Sequence, residues 1–369
     1  MALAACLGLA TGSCAQPSAK PQTGSDPPVA GAPPAVRIVW AAKEWLASLE
    51  PSERRRTLYD FGDSERFDLR LAPILLEGLR GDRLTDAQWD GMLAILAGGL
   101  SEHGLAKVET IMSLEVEVER RDREAGGLRS LARFIRNPRR YYVALFGPPR
   151  SEAPFGLRVE GHHLSLNWTV LPGGAVSTTP FFLGSEPREL PFGSVRAGLR
   201  ALAEEEDQAR ALYRSLDPDQ RARATLVLEL ATGLLGRRPM FVGEGPTARP
   251  APPVGLRRAD MTPAQADALD ALIEVYLTNF AAEIAQGRRL AIRAADPNEI
   301  HFAWAGEDLP DHPSYYRIQG PTFLIEFDDT VPDADHVHAI YREFEGDFGR
   351  DLLRAHYAQM HAPQGASTQ

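Results

Sequence analysis

Four short segments near the C-terminal end constrain the fold of this chain more than any other feature. EIHFAWAG (299–306), YYRIQG (315–320), TFLIEFDDT (322–330) and HVHAIYR (336–342) are rich in β-branched and aromatic residues, with turn-forming residues between them. Strands this short and this closely spaced pair as antiparallel neighbours, because parallel pairing needs a long crossover. A second set lies far upstream. LRVEGHHLSLNWTVL (157–171) alternates, PGG (172–174) turns the chain, and AVSTTPFFLG (175–184) returns, so 155–185 reads as a β-hairpin.

The rest of the chain follows a helical period. Residues 37 to about 145 are read as helical, with a capping box from Thr85 to Gln88 and a long charged run, GLAKVETIMSLEVEVERRDRE (104–124). Further helices are expected at 194–213, 217–235 and 263–286, the last opened by Thr262, Pro263 and Gln265. DFGRDLLRAHYAQM (347–360) is expected to close the fold as a helix. The fold class is therefore α+β. A helical N-terminal part packs on an antiparallel sheet built from residues ~155–185 and ~290–345, with helices between. Residues 37–360 are expected to form one domain, helical over 37–145 and mixed over 146–360, followed by a flexible tail, 361–369.

The first residues point to export. MALAACLGLATGSCAQ is small and apolar and breaks into a stretch rich in Pro, Gly and Ser. Residues 1–15 read as a signal peptide cut after Ala15, or as a lipoprotein leader with Cys14 lipidated. Thr11 stands where a lipobox carries an aliphatic residue. The basic leader that precedes such a region is missing, which places the expected true start upstream. Residues 16–36 read as a disordered tether. Cys6 and Cys14 are the only cysteines, so the body of the chain has no disulfide, thiolate metal site or cysteine nucleophile. The expected location is periplasmic, outer-envelope or secreted, with membrane contact only through a lipid on Cys14. A net charge of -10 argues against a nucleic-acid partner, since phosphate neutralisation needs a basic surface.

Any metal would need His, Asp or Glu donors. On an unbroken strand, alternation places His163, Ser165, Asn167 and Thr169 on one face and His162, Leu164, Leu166 and Trp168 on the other. Neighbours then point apart, so one of the two histidines is expected to be functional and the other structural. In HVHAIYR, His336 and His338 share a face, and H-x-H on a strand presents two imidazoles to one ion. The expected donor set is His163, His336, His338 and Glu326, holding a divalent transition metal such as Zn, Cu or Fe. Asp328, Asp329, Asp333 and Asp335 are candidate acceptors behind the imidazoles, and Arg317 and Arg342 are candidates to orient a small-molecule substrate. His163 and Glu326 could instead work as acid and base. Three functions stay open: a metal-dependent enzyme, with hydrolysis favoured over oxidation; a non-catalytic envelope protein using the polar stripe and Asn167 to bind a small ligand; and a metal-free His/acid enzyme. No nucleophile elbow, P-loop or dinucleotide glycine fingerprint is present.

GHHLSLNWTV, TPFFLGSEP, YRIQGPTFLIEFDDT, DADHVHAIYREFEGDFGRDLL and His356-Tyr357 resemble the bacterial domain-of-unknown-function 3500 family, as do GLAKVETIMSLE and YYVALFGPP upstream. The resemblance spans roughly 37–360. It implies export for many members, and one folding unit over 155–360 that unites the double-histidine and H-x-H segments. It implies no established reaction or cofactor. Trp168 stands where the family pattern suggests phenylalanine, and Glu343-Phe344-Glu345 replaces a more polar stretch; neither touches the histidines.

Overall fold

A computed structural model describes residues 31–70, 76–126, 137–227, 248, 252–310, 312–329 and 334–350. The leader, most of the tether, residues 228–235, Asp333, residues 351–360 of the closing helix and the tail lie outside the described residues. The described helices are α1 (Pro34–Ser48), α2 (Pro51–Thr57), α3 (Asp86–Gly99), α4 (Glu102–Ala125), α5 (Ala203–Ser215), α6 (Pro218–Ala224), α7 (Pro263–Leu277) and α8 (Ala282–Ala294). The strands are β1 (Leu58–Tyr59), β2 (Leu79–Arg80), β3 (Tyr142–Phe146), β4 (Phe155–Gly161), β5 (Leu164–Val170), β6 (Val176–Ser177), β7 (Phe181–Ser185), β8 (Leu256–Arg257), β9 (His301–Gly306), β10 (Ser314–Gln319), β11 (Phe323–Asp329) and β12 (Val337–Glu343). None of the described helices is long and apolar enough to cross a membrane.

All twelve strands form one sheet in the order β1-β3-β4-β5-β7-β12-β11-β10-β9-β8, with β2 added to β3 and β6 to β5. Its ladders are antiparallel except β1–β3. The protein is α+β, as its alternating segments predict. The join that matters is β7 against β12, where Gly184 faces His338 and Val337 faces Ser185. That ladder brings the upstream strands and the C-terminal meander into one surface.

The two faces of the sheet differ. Leu164, Leu166, Trp168, Leu183, Ala339, Tyr341, Ile325 and Phe327 belong to one large apolar core with residues of α1, α3, α4, α5 and α7. Hydrophobic burial of this face is the main force holding the helices on the sheet. The opposite face carries Ser165, Asn167, Thr169, Glu326, Asp328, His338 and Arg342. A polar face on an antiparallel sheet usually meets water. Here it does not: Ser165, Glu326 and Arg342 are each 0% exposed. Leu69 and Phe348, with Phe67 against them, pack on Phe182 and Ile340 to cover the middle of it. Arg66 donates to Thr169 Oγ1 at 3.3 Å and to the Phe348 carbonyl at 2.6 Å, filling the space between sheet and cover.

Helix starts follow the sequence signals. Thr85 and Thr262 each close a capping box with the glutamine three residues on. Several boundaries differ from expectation. The first helix begins at Pro34, inside the segment read as tether. The helix expected over 194–213 begins only at Ala203, because Leu190–Leu199 is closed into a loop by its own backbone bonds. The helix expected over 263–286 is two. The Asn279 side chain donates to the Val275 and Tyr276 carbonyls and ends the first one. The chain then passes so close to α4 that a Cβ on Gly104 would lie 2.0 Å from the Asn279 carbonyl oxygen.

Candidate metal centre

The stretch 157–171 is not one strand. Gly161 pairs with Leu164, and His162 and His163 form the two-residue turn between β4 and β5. Strand alternation therefore does not apply to the pair, and the expectation that they point apart is corrected. His163 has φ +62°, the left-handed region that a residue with a Cβ seldom adopts. The two rings lie together, tilted by 37° with their centroids 3.6 Å apart.

His163 extends the polar face. Gly184 N–H donates to the His163 carbonyl at 2.8 Å, which fixes the turn beside β7. Gly184 is the floor beneath two imidazoles: a Cβ there would lie 2.8 Å from His163 Cδ2 and 3.0 Å from His338 Cδ2. The sheet register continues the row from Gly184 to His338, to Asp328 and to Tyr315.

His336 stands just before β12 and closes the cluster from the other side. Its Nε2 lies 2.6 Å from Nε2 of His163, so at most one of these two nitrogens carries a proton. Glu186, just past the end of β7, faces both sides. Its Oε2 is 3.7 Å from His162 Nε2 and 3.8 Å from His336 Nδ1. One donor atom each from His162, His163, Glu186 and His336 can be chosen so that all lie within 4.8 Å of one another. Two ligands on one tetrahedral zinc ion sit roughly 3.3 Å apart, given bonds near 2.0–2.1 Å. The four side chains thus form a cluster that could hold a metal ion with small adjustment. Three of them are nearly closed off, while the Glu186 side chain keeps 29% of its surface in water.

Behind the cluster, Glu115 of α4 bonds to Nδ1 of His162. A carboxylate there holds the imidazole in the tautomer that leaves Nε2 free for an ion. Asp335 anchors the neighbouring backbone: it accepts from Arg188 N–H at 3.1 Å and from the Arg121 guanidinium at 2.8 Å. Asp329, at the end of β11, is fully buried. Burial, reinforced by the charge of Glu206, pushes its carboxyl up to about 8, against the pull of Arg188.

Of the residues expected at the site, His163 and His336 come together and His162 joins them. His338 stands next to them, its ring 4.6 Å from that of His336 and 5.7 Å from that of His163, but it is outside the four-donor set. Its Nδ1 is 3.6 Å from Asp328 Oδ2. Glu326 is likewise outside the four-donor set. It sits one step along the polar face, opposite Ile340, bonded to the Tyr315 hydroxyl and 3.4 Å from Arg317. Arg317 also donates to Tyr315 at 3.0 Å. Arg342 binds Asp347 at 2.6 Å, four residues along β12 from His338, which is about 13 Å of strand. Asn167 Nδ2 donates to Ser165 Oγ at 3.2 Å and to the Pro180 carbonyl at 3.1 Å.

Two participants escaped the sequence reading. Glu186 sits in GSEP, past a strand end, where nothing distinguishes it from a surface acid. Glu115 did leave a signal: it falls on the stripe of Val108, Ile111, Met112 and Val118, where a solvent-facing acid has no place, and it is 3% exposed.

A family profile described as "Protein of unknown function (DUF3500)" matches residues 32–350. No curated protein and no solved structure matches the chain.

Proposed function

The chain belongs to the DUF3500 family, and we propose that it is a metal-dependent enzyme in which His162, His163, Glu186 and His336 hold one divalent transition-metal ion that activates water for hydrolysis. The observation that carries this reading is the convergence of three imidazoles and one carboxylate within 4.8 Å. Neutral imidazoles with a carboxylate suit zinc, copper or iron, and zinc brings the pKa of a bound water close to neutral. Glu115 sets the tautomer of His162, and Gly184 leaves the space in which His163 can turn inward. Glu186 is the half-exposed member, so water and substrate approach from its side. Hydrolysis is preferred over oxidation because it needs no further cofactor. We also propose that the mature protein works outside the cytoplasm, on the strength of the apolar leader and a body without cysteine.

Elemental analysis of protein expressed with added zinc, copper and iron tests the metal. One ion per chain is expected in the wild type, and far less in the His163→Ala, His336→Ala double variant. A wild type without a stoichiometric transition metal sinks the reading. Copper or iron in place of zinc moves it from hydrolysis to oxidation. Mass spectrometry of the mature N-terminus separates cleavage after Ala15 from lipidation of Cys14.

A further inference from the structure

Beside the donor cluster lies an open hollow of about 760 Å³. Two of its walls adjoin the cluster along the chain. Ala334 and Asp335 form one wall, and His336 is the next residue. Arg188 opens the other, two residues after Glu186, which is at most about 7 Å of chain. The volume falls in the range of small-molecule sites, about 300–1,000 Å³.

Of the charged groups of the hollow, Arg188 and Asp335 have protein partners, while Glu189 is exposed. Arg188 donates to Glu206 at 3.0 Å, and Asp335 holds Arg121 and the Arg188 backbone. The rest of the lining is largely apolar: Leu190, Pro191, Phe192, Ala197 and Gly198. These residues belong to a built loop. Leu190 and Leu199 close its base, with Leu190 N–H donating to the Leu199 carbonyl at 2.9 Å and Gly198 N–H to the Leu190 carbonyl at 2.8 Å. Leu190 and Leu202 root it in the core. Ser194 donates to Glu117 at 3.2 Å and Arg196 to Ser113 at 2.8 Å, which pins the loop to α4, the helix that supplies Glu115. A loop held at base and flank nevertheless presents Phe192 fully to solvent at the rim. An aromatic face at the mouth of a cavity can cover an apolar ligand group.

Resting on the metal reading above, we propose that this hollow is the specificity pocket of the centre. It takes the aryl or bulky alkyl group of a substrate whose oxygen-bearing head reaches the ion, with Phe192 as its principal contact. The class is an apolar side group, because Leu190, Pro191, Phe192 and Ala197 line the loop side of the hollow, and the exposed Glu189 beside them disfavours an anionic one.

Hydroxamates test this, since the head chelates the ion and the substituent samples the hollow. Full-length protein is loaded with zinc, and the binding of acetohydroxamate and benzohydroxamate is compared by calorimetry. The aryl compound is expected to bind at least about tenfold more tightly. Phe192→Ala should cut that preference to about threefold or less and leave acetohydroxamate affinity unchanged. Ala197→Trp, a second exposed position, should block the aryl compound selectively. Equal affinities in the wild type, an unchanged preference in both variants, or zinc without binding of either compound overturns the pocket and leaves the metal site standing. Failure to bind zinc at all overturns the metal reading and the pocket with it.

Discussion

His163 shows how one backbone angle makes a site. At φ +62° a side chain crowds its own carbonyl, at roughly 1–2 kcal/mol. That geometry sets the ring against that of His162 and aims it at His336. Comparing two substitutions isolates the backbone term, because both remove the imidazole. In urea denaturation of metal-free protein, His163→Gly should be more stable than His163→Ala by about 1 kcal/mol. Glu115 acts at the same scale through one hydrogen bond. Glu115→Gln should weaken zinc affinity by about 10–100-fold in chelator competition, with the donor set intact. The sequence exposed the histidines as candidates because imidazoles are few and two pairs are clustered. It hid Glu186 because a carboxylate near a strand end has many ordinary uses, and only the fold shows which one faces a histidine.

At the scale of elements, α4 is the part whose position matters most. It brings Glu115 to the turn from the apolar side and carries the anchors of the 190–199 loop. Its own seat depends on Gly104, which lies against the Asn279 carbonyl with no room for a methyl group. Gly104→Ala should therefore push α4 off its neighbour, lower the thermal midpoint by several degrees and weaken zinc binding in step. A change confined to stability would show that Glu115 does not depend on this seating. Element types were legible: capping boxes announced α3 and α7, and alternation announced β9 to β12. The double-histidine turn was not, since His-His carries none of the Asn-Gly or Asp-Gly chemistry that marks a two-residue turn. The end of α7 was hidden for a similar reason, because Asn279 stops it through side-chain bonds rather than with a glycine or proline.

For the molecule as a whole, the sheet separates an apolar interior from a polar one. Buried acids on both sides of it are pushed toward the protonated form, Glu160 on the polar face and Asp329 at the end of the apolar row. Burial pushes Glu160 up to about 7 despite Arg158 3.0 Å away, and Asp329 up to about 8. In the unfolded chain both ionise near pH 4. Between those values the folded state binds more protons than the unfolded state, so these groups make stability fall as pH rises from about 4 to about 8 and level off above. Glu160→Gln should remove the lower part of that slope. Urea midpoints for wild type and variant across the range would measure it, and parallel curves would show that Glu160 is ionised in the native state. The two-faced character of the sheet was legible from alternation alone. That its polar face is sealed was not, because the seal comes from Leu69 and Phe348, residues distant in sequence that carry no periodic signal.

The His163–His336 contact joins residues 173 positions apart, across the one ladder that links the two halves of the sheet among the described residues. An ion held there would be a late event in folding, since closing so long a loop must precede any reward from the bond. A chain still extended could not capture the metal. Loading would wait until the last strand had docked, and the filled centre would then act as a seal on correct assembly.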